Sequence, residues 1–261
     1  MWTLRRNQWV TLQSFLWLPL LALGALAPFL EILVPLREGS LRTGWSAGLL
    51  VLGLASYLHL ARILGAGRTV ADAITAGRFG LILAGAAGLF VLRVERIELW
   101  LLLVAGVTLD LVDGWAARRF GASEEGAVLD METDQLTTLF LALLAHDRAV
   151  GVDASSWGAL AGAAFLILPA LKYAFALGLR NAPRANDPKP AGDNTRGRRI
   201  CATVLVGLLV CTAPVLADSV AFERLRQVAA VALAALLASS FAGDLRHVMT
   251  ARATKGASSS S

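Results

Sequence analysis

Four aspartates lie within 25 residues of one another: Asp110, Asp113, Asp130 and Asp134. They form two pairs, spaced i,i+3 and i,i+4, and each pair sits at one end of an apolar stretch. On a helix both spacings put the two members of a pair on one face. At 100° per residue, Gly106, Asp113, Gly114 and Ala117 all fall within about 60° of Asp110. Gly126 precedes Asp130 by the same four-residue step that separates Asp130 from Asp134. A short turn over about 118–126 allows the two helices to run antiparallel, so that the two acidic faces meet. An ionised Asp in a membrane helix costs about 3 kcal/mol even on a mild scale. Four facing one another also repel in a low dielectric, so the cluster needs protons or cations. Hard carboxylate oxygens suit magnesium, manganese or calcium, and no Cys or His lies close enough in the sequence to suggest zinc. Four carboxylates can hold two divalent ions, an apparatus that neutralises phosphate charge and aligns both oxygens of an in-line displacement.

The small residues Gly106, Gly114, Ala117 and Gly126 leave a groove in which a phosphate chain or a base can approach the backbone. Arg118 can grip a phosphate through its two-pronged guanidinium. Each member has a plainer explanation on its own. Membrane glycines serve close packing, Arg118 and Arg119 anchor a helix end, and a single Asp can be structural or relay a proton. The joint pattern is what separates chemistry from packing.

The elements that must carry these residues are membrane helices. The chain is 56% hydrophobic and 16% charged, with a mean hydropathy of +0.63, whereas soluble domains sit near about 45–50% apolar and about 25% charged. Eight apolar runs can each cross a bilayer core of ~30 Å: about 15–36, 45–64, 73–92, 97–117, 127–145, 157–179, 200–217 and 226–244. The first follows Arg5 and Arg6 but ends in Pro35-Leu36-Arg37-Glu38 rather than a small-residue cleavage site, and reads as a retained helix. With the N-terminus in the cytosol, 17 of the 24 Lys and Arg fall on the cytosolic side and 7 on the other. That asymmetry favours an even number of spans with both termini inside. It also accounts for the net charge of +5 through anionic lipid, with no need for nucleic acid. Residues 180–199, rich in Pro, Gly, Asn and Arg, read as a cytosolic loop, and 251–261 as a disordered tail. Cys201 and Cys211 point to different sides of one helix and read as small buried hydrophobes. His59, His146 and His247 are scattered and receive no role.

The motif Asp110-x-x-Asp113-Gly114-x-x-Ala117-Arg118, a spacer, then Gly126-x-x-x-Asp130-x-x-x-Asp134 resembles the signature of the CDP-alcohol phosphatidyltransferase family at all eight fixed positions. The spacer, Arg119 to Glu125, is seven residues, one shorter than is usual there, and the missing residue falls in the turn. Glu124 and Glu125 read as a solvated acidic turn. Upstream, Asp72-x-x-Thr75-x-x-Arg78 is similar to an N-x-x-T-x-x-R element of the first core helix, with Asp72 in the Asn position; read plainly, it is a helix cap followed by an anchoring Arg. The resemblance implies an all-α fold: a polytopic transmembrane bundle with a six-helix catalytic core over residues 69–250, preceded by two extra N-terminal transmembrane helices within 1–68. It implies a metal-dependent enzyme of phospholipid biosynthesis that moves a phosphatidyl group from CDP-diacylglycerol to a hydroxyl of a small alcohol, releasing CMP.

By position, the resemblance makes Asp110, Asp113, Asp130 and Asp134 ligands of two Mg2+ or Mn2+ ions. Asp134 is also the base that takes the acceptor's proton. Thr75, Asp113, Gly114, Ala117, Arg118 and Gly126 would line the nucleotide site. Arg196, Arg198 and Arg199 stand where a phosphate-bearing acceptor could be held, or anchor the loop on anionic lipid. The partners expected are CDP-diacylglycerol, the alcohol and the bilayer, with a homodimer expected from family relatives. Other readings are transfer from a CDP-alcohol to diacylglycerol, a membrane prenyltransferase, an inactive relative, or a cation transporter built on the Asp cluster. The prenyltransferases keep their two Asp motifs far apart, and no internal repeat typical of transporters is present.

Overall fold

In the computed structural model, residues 17–22, 40–64, 69–90, 97–120, 123–152, 156–178, 191–214 and 220–258 are described. These residues are all-helical apart from turns and contain no strand. After a helical segment at 17–22, seven helices follow. They are α1 (Ser40–Leu64), α2 (Val70–Phe90), α3 (Ile97–Phe120), α4 (Glu124–Val152), α5 (Ser156–Gly178), α6 (Ala191–Cys211) and α7 (Val220–Ser258). Seven of the eight apolar runs fall largely on these helices, with the ends of 73–92, 157–179 and 200–217 outside the described residues, as is most of the first run. Among the described residues, two helices, over Val70–Leu89 and Ala221–Gly243, are long and apolar enough to cross a bilayer by length and composition. The others carry charges or polar residues within or beside shorter apolar stretches.

Two readings of the sequence change. Residues 191–199, taken as part of a loop, form the first turns of α6, and the segment taken as a tail is helical to Ser258. Pro, the strongest helix breaker in the 180–199 stretch, does not occur after Pro190. The following Ala-Gly-Asp-Asn-Thr-Arg-Gly-Arg-Arg contains nothing that bars a helix once apolar residues follow it.

α4 is the axis of the fold. It has 29 residues and is therefore about 43 Å long. From Leu139 to Ala145 each of its residues is buried, so this apolar run is wrapped by protein rather than lipid. α1, α2, α5, α6 and α7 all pack on it. α2 and α3 form an antiparallel hairpin held at close range by glycines. A Cβ on Gly85 would stand 2.8 Å from the Leu103 side chain, one on Gly88 2.7 Å from Leu99, and one on Gly106 2.6 Å from Ile82. Gly106 therefore belongs to packing and not to the substrate groove expected for it.

α1 is equally tight against the core. A Cβ on Gly53 would meet the Phe140 ring at 2.7 Å. Tyr57 stacks on Phe79 with centroids 3.9 Å apart, and Phe79 lies 6.3 Å from Phe140. Ser56 donates a hydrogen bond to buried Glu132 of α4 at 3.4 Å. Trp17 stacks on Tyr173 of α5. At the end of the bundle away from the aspartates, Arg148 donates to the Ala213 carbonyl at 3.3 Å, and Arg226 pairs with Glu223 at 2.5 Å.

Candidate functional site

Two helix starts meet at the acidic end. Thr69 caps α2 in a reciprocal box: its hydroxyl accepts the Asp72 N–H at 3.1 Å, and the Asp72 carboxylate accepts the Thr69 N–H at 3.3 Å. Asp72, read as the cap itself, is thus the third residue of the capped turn. Ser123 caps α4, its hydroxyl accepting the Gly126 N–H at 2.8 Å and lying 3.4 Å from an Asp72 oxygen. Glu125 stands in the first turn of α4, where the helix dipole favours negative charge. A Cβ on Gly126 would overlap the Asp72 carboxylate and come within 2.8 Å of Ser123 Oγ, so only glycine lets the two starts approach this closely.

Arg78, less than two turns along α2 from Asp72, binds three of the four aspartates. Nη1 donates to Asp110 of α3; Nη2 donates to Asp130 at 2.9 Å and to Asp134 at 2.8 Å, both on α4. The guanidinium side chain is 2% exposed, whereas the three carboxylates are 48, 43 and 45% exposed. The arginine is therefore sealed beneath a layer of acids that face outward. Carboxylate oxygens of Asp110, Asp130 and Asp134 all lie within 4.8 Å of one another. Among the described residues, Arg78 is the cation paired with these three carboxylates, which gather negative charge in a half-buried site. The donors are hard oxygens that can be reached from water, and this set fits a divalent cation such as Mg2+ or Mn2+.

Asp113 stands apart from this trio. It is buried and takes a hydrogen bond from the Thr75 hydroxyl, which also lies 3.1 Å from the Ala71 carbonyl; with one proton, the hydroxyl donates to one of them at a time. Next to the trio is a cavity of about 140 Å³, lined by Asp72, Thr75, Asp113, Gly114, Gly126 and Asp130 among others. Gly114 leaves its wall open, the nearest neighbour to an added Cβ being Arg118 Nη1 at 3.5 Å. Arg118, otherwise exposed, is thereby folded back toward the cavity.

The structure thus gathers Asp110, Asp130 and Asp134 into one cluster and puts Thr75, Asp113, Gly114 and Gly126 around an adjoining cavity. Ala117 lies on α3, but its side chain is outside the described residues, as are those of Arg196 and Arg198; Arg199 is exposed on α6. Cys201, expected to be buried, is exposed, and Cys211 is buried; neither forms a disulfide among the described residues. Sequence reading missed Arg78 as a member of the site. The available signal was its place six residues after Asp72 and three after Thr75, on the helical face that turns toward the aspartates.

A family model described as CDP-alcohol phosphatidyltransferase matches residues 68–242, about two thirds of the chain. No curated protein and no solved structure matches. The matched stretch begins just before the Thr69 cap and includes all the residues of the cluster and the cavity. The family is a membrane-embedded one of transferases in phospholipid synthesis, in keeping with the two apolar helices long enough to span.

Proposed function

The chain belongs to the CDP-alcohol phosphatidyltransferase family, and from that premise we propose that it transfers the phosphatidyl group of CDP-diacylglycerol to an alcohol, releasing CMP. The observation that carries this reading is the convergence of Asp110, Asp130 and Asp134 on Arg78 beside a cavity floored by Gly114 and Gly126. The cavity takes the cytidine diphosphate. Its glycines admit the pyrophosphate close to the backbone, and the capped starts of α2 and α4 turn positive helix ends toward it. Arg118 reaches the phosphate from the exposed rim. Divalent ions held by Asp110, Asp130 and Asp134, with Asp113 contributing from the cavity wall, would neutralise the pyrophosphate and stabilise the oxygen that leaves with CMP.

In the transfer, the acceptor oxygen forms a bond to the phosphorus that bears diacylglycerol. The bond from that phosphorus to the bridging oxygen breaks, the electron pair leaves on CMP, and the acceptor's proton passes to Asp134. Arg78 holds Asp130 and Asp134 at one nitrogen and Asp110 at the other, so it sets the spacing of the carboxylates before any substrate arrives. The protein is multi-pass, with both termini and the site on the cytosolic side; the Lys and Arg asymmetry supports that orientation. Purified protein given labelled CDP-diacylglycerol, Mn2+ and a panel of alcohols should release CMP. Absence of CMP with every acceptor defeats the reading.

A further inference from the structure

Arg78 meets its three carboxylates in one way: Oδ1 of Asp110, of Asp130 and of Asp134 each accepts from the guanidinium. A guanidinium is planar, and its nitrogens do not move relative to one another. Its stem is fixed as well. A Cβ on Gly106 would lie 3.3 Å from the Arg78 carbonyl oxygen, so α3 crosses directly against this turn of α2. The next residue, Phe79, is buried and stacked on Tyr57 of α1. A rigid fork on a clamped backbone therefore holds one oxygen of each acid, two from α4 and one from α3. The fork lies on the sealed side of the cluster, and the half-exposed carboxylates form the side toward water.

Divalent cations differ in what they ask of such a cluster. Mg2+ and Mn2+ are small, keep close to octahedral geometry and fill much of their shell with water and phosphate oxygens. Ca2+ is larger, takes about 6–8 oxygens and commonly draws on both oxygens of a carboxylate. An Oδ1 that already accepts a guanidinium N–H is a poor second ligand, because the ion and the guanidinium would press two positive charges onto one atom.

We propose that Arg78 sets which ion the cluster accepts: by engaging one oxygen of each carboxylate it restricts all three to single-oxygen coordination, so that the site takes Mg2+ or Mn2+ and discriminates against Ca2+. The inference rests on the reading of Asp110, Asp130 and Asp134 as ion ligands. Arg78 is a positioning residue in this scheme. It holds the carboxylates from beneath while the ion enters from the open side, and it stays bonded when the site is loaded. Its removal has two separable effects. Loss of the charge strengthens the binding of every divalent ion. Loss of the fork lets the carboxylates turn both oxygens on an ion, which favours Ca2+ in particular.

The test uses the full chain in phosphatidylcholine nanodiscs, whose lipid carries no net charge. Mn2+ is titrated in, its free form counted by its paramagnetic resonance signal, and the bound ion is then displaced with Ca2+. Wild type should bind Mn2+ more tightly than Ca2+. Arg78→Gln should shrink that preference about tenfold or more, chiefly by tightening Ca2+. Arg78→Lys keeps the charge as a single point and should shrink the preference by a similar factor without the general gain in affinity. A ratio of affinities does not depend on how much of the protein is folded, so a merely structural role for Arg78 would leave it unmoved. A preference absent from wild type, or unchanged in either variant, overturns the inference; Arg78→Lys alone decides it where Arg78→Gln does not fold. CMP release by wild type with Mn2+ is read in parallel. CMP formed while the preference fails to shift overturns the role of Arg78 and leaves the transferase reading standing. A shifted preference without any CMP sustains the role of Arg78 and overturns the transferase reading. No bound Mn2+ overturns the role of Arg78, and the transferase reading with it where no CMP forms either.

Discussion

Arg78 and Arg226 are both nearly sealed from solvent, with side chains 2% and 1% exposed, yet they are built into opposite ends of the bundle for different ends. Arg226 pairs with Glu223 one turn away on the same helix at 2.5 Å and lies over the Phe222 ring, 5.2 Å from its centroid. One positive and one negative charge are buried there together. Arg78 draws its three carboxylates from two other helices, and those carboxylates remain about half exposed. The first arrangement is buried with both of its charges; the second keeps its acidic side at the surface. Measured along α4, Asp134 and Arg148 are 14 residues apart, or about 21 Å, so the two ends can be altered separately.

The largest separation of the two should come from the acids. Asp134→Asn should lower kcat by about 10²–10⁴, while Glu223→Gln should leave kcat unchanged and lower the melting temperature. Steady-state CMP release and a thermal melt of each variant check this, and normal turnover in Asp134→Asn would remove the base from the scheme. The arginines themselves give the next effect. Arg226→Gln should lose about 3–5 kcal/mol by breaking a buried ion pair with Glu223, and Mn2+ should restore none of it. Arg78→Gln leaves three carboxylates facing one another, so its melting temperature should fall in chelator and recover with Mn2+ by more than wild type gains. Equal recovery in both variants would erase the distinction.

A smaller effect is expected at the cavity floor. Gly126→Ala pushes a methyl group into Asp72 and Ser123, and should raise KM for CDP-diacylglycerol about tenfold, the equivalent of 1.4 kcal/mol, with kcat little changed. The smallest belongs to the back of α4. Ser56→Ala gives up one long hydrogen bond to Glu132 and should cost about 1 kcal/mol or less, visible in denaturation and not in turnover.

Much of this was legible because helical period is a local property. The spacings of Asp110 and Asp113, and of Asp130 and Asp134, fix which face each pair occupies, and the length of each apolar run fixes a helix to within a few residues. What faces that surface is not local. Arg78 looked like a membrane anchor because a basic residue near a helix end commonly is one; its three partners lie 32, 52 and 56 positions away. Gly106 shared the acidic face of α3 by angle, but one turn deeper, where Ile82 already fills the space. Asp113, on the same face again, turned to Thr75 instead of joining the cluster. Cys201 follows the same logic: hydrophobicity gave its helix, and only the packing of α4, α5 and α7 determined that its side would border a cavity.

The near-contact of α1 with α4 bears on how small a working version of this molecule can be made. Cutting the chain back to the stretch that carries the family's features would strip the cover from Phe140 and Glu132, exposing a ring and a carboxylate on the reverse of the very helix that presents Asp130 and Asp134. Residues 40–64 are in that sense a brace for the helix that carries Asp130 and Asp134, and a shortened chain that keeps this packing has to retain them.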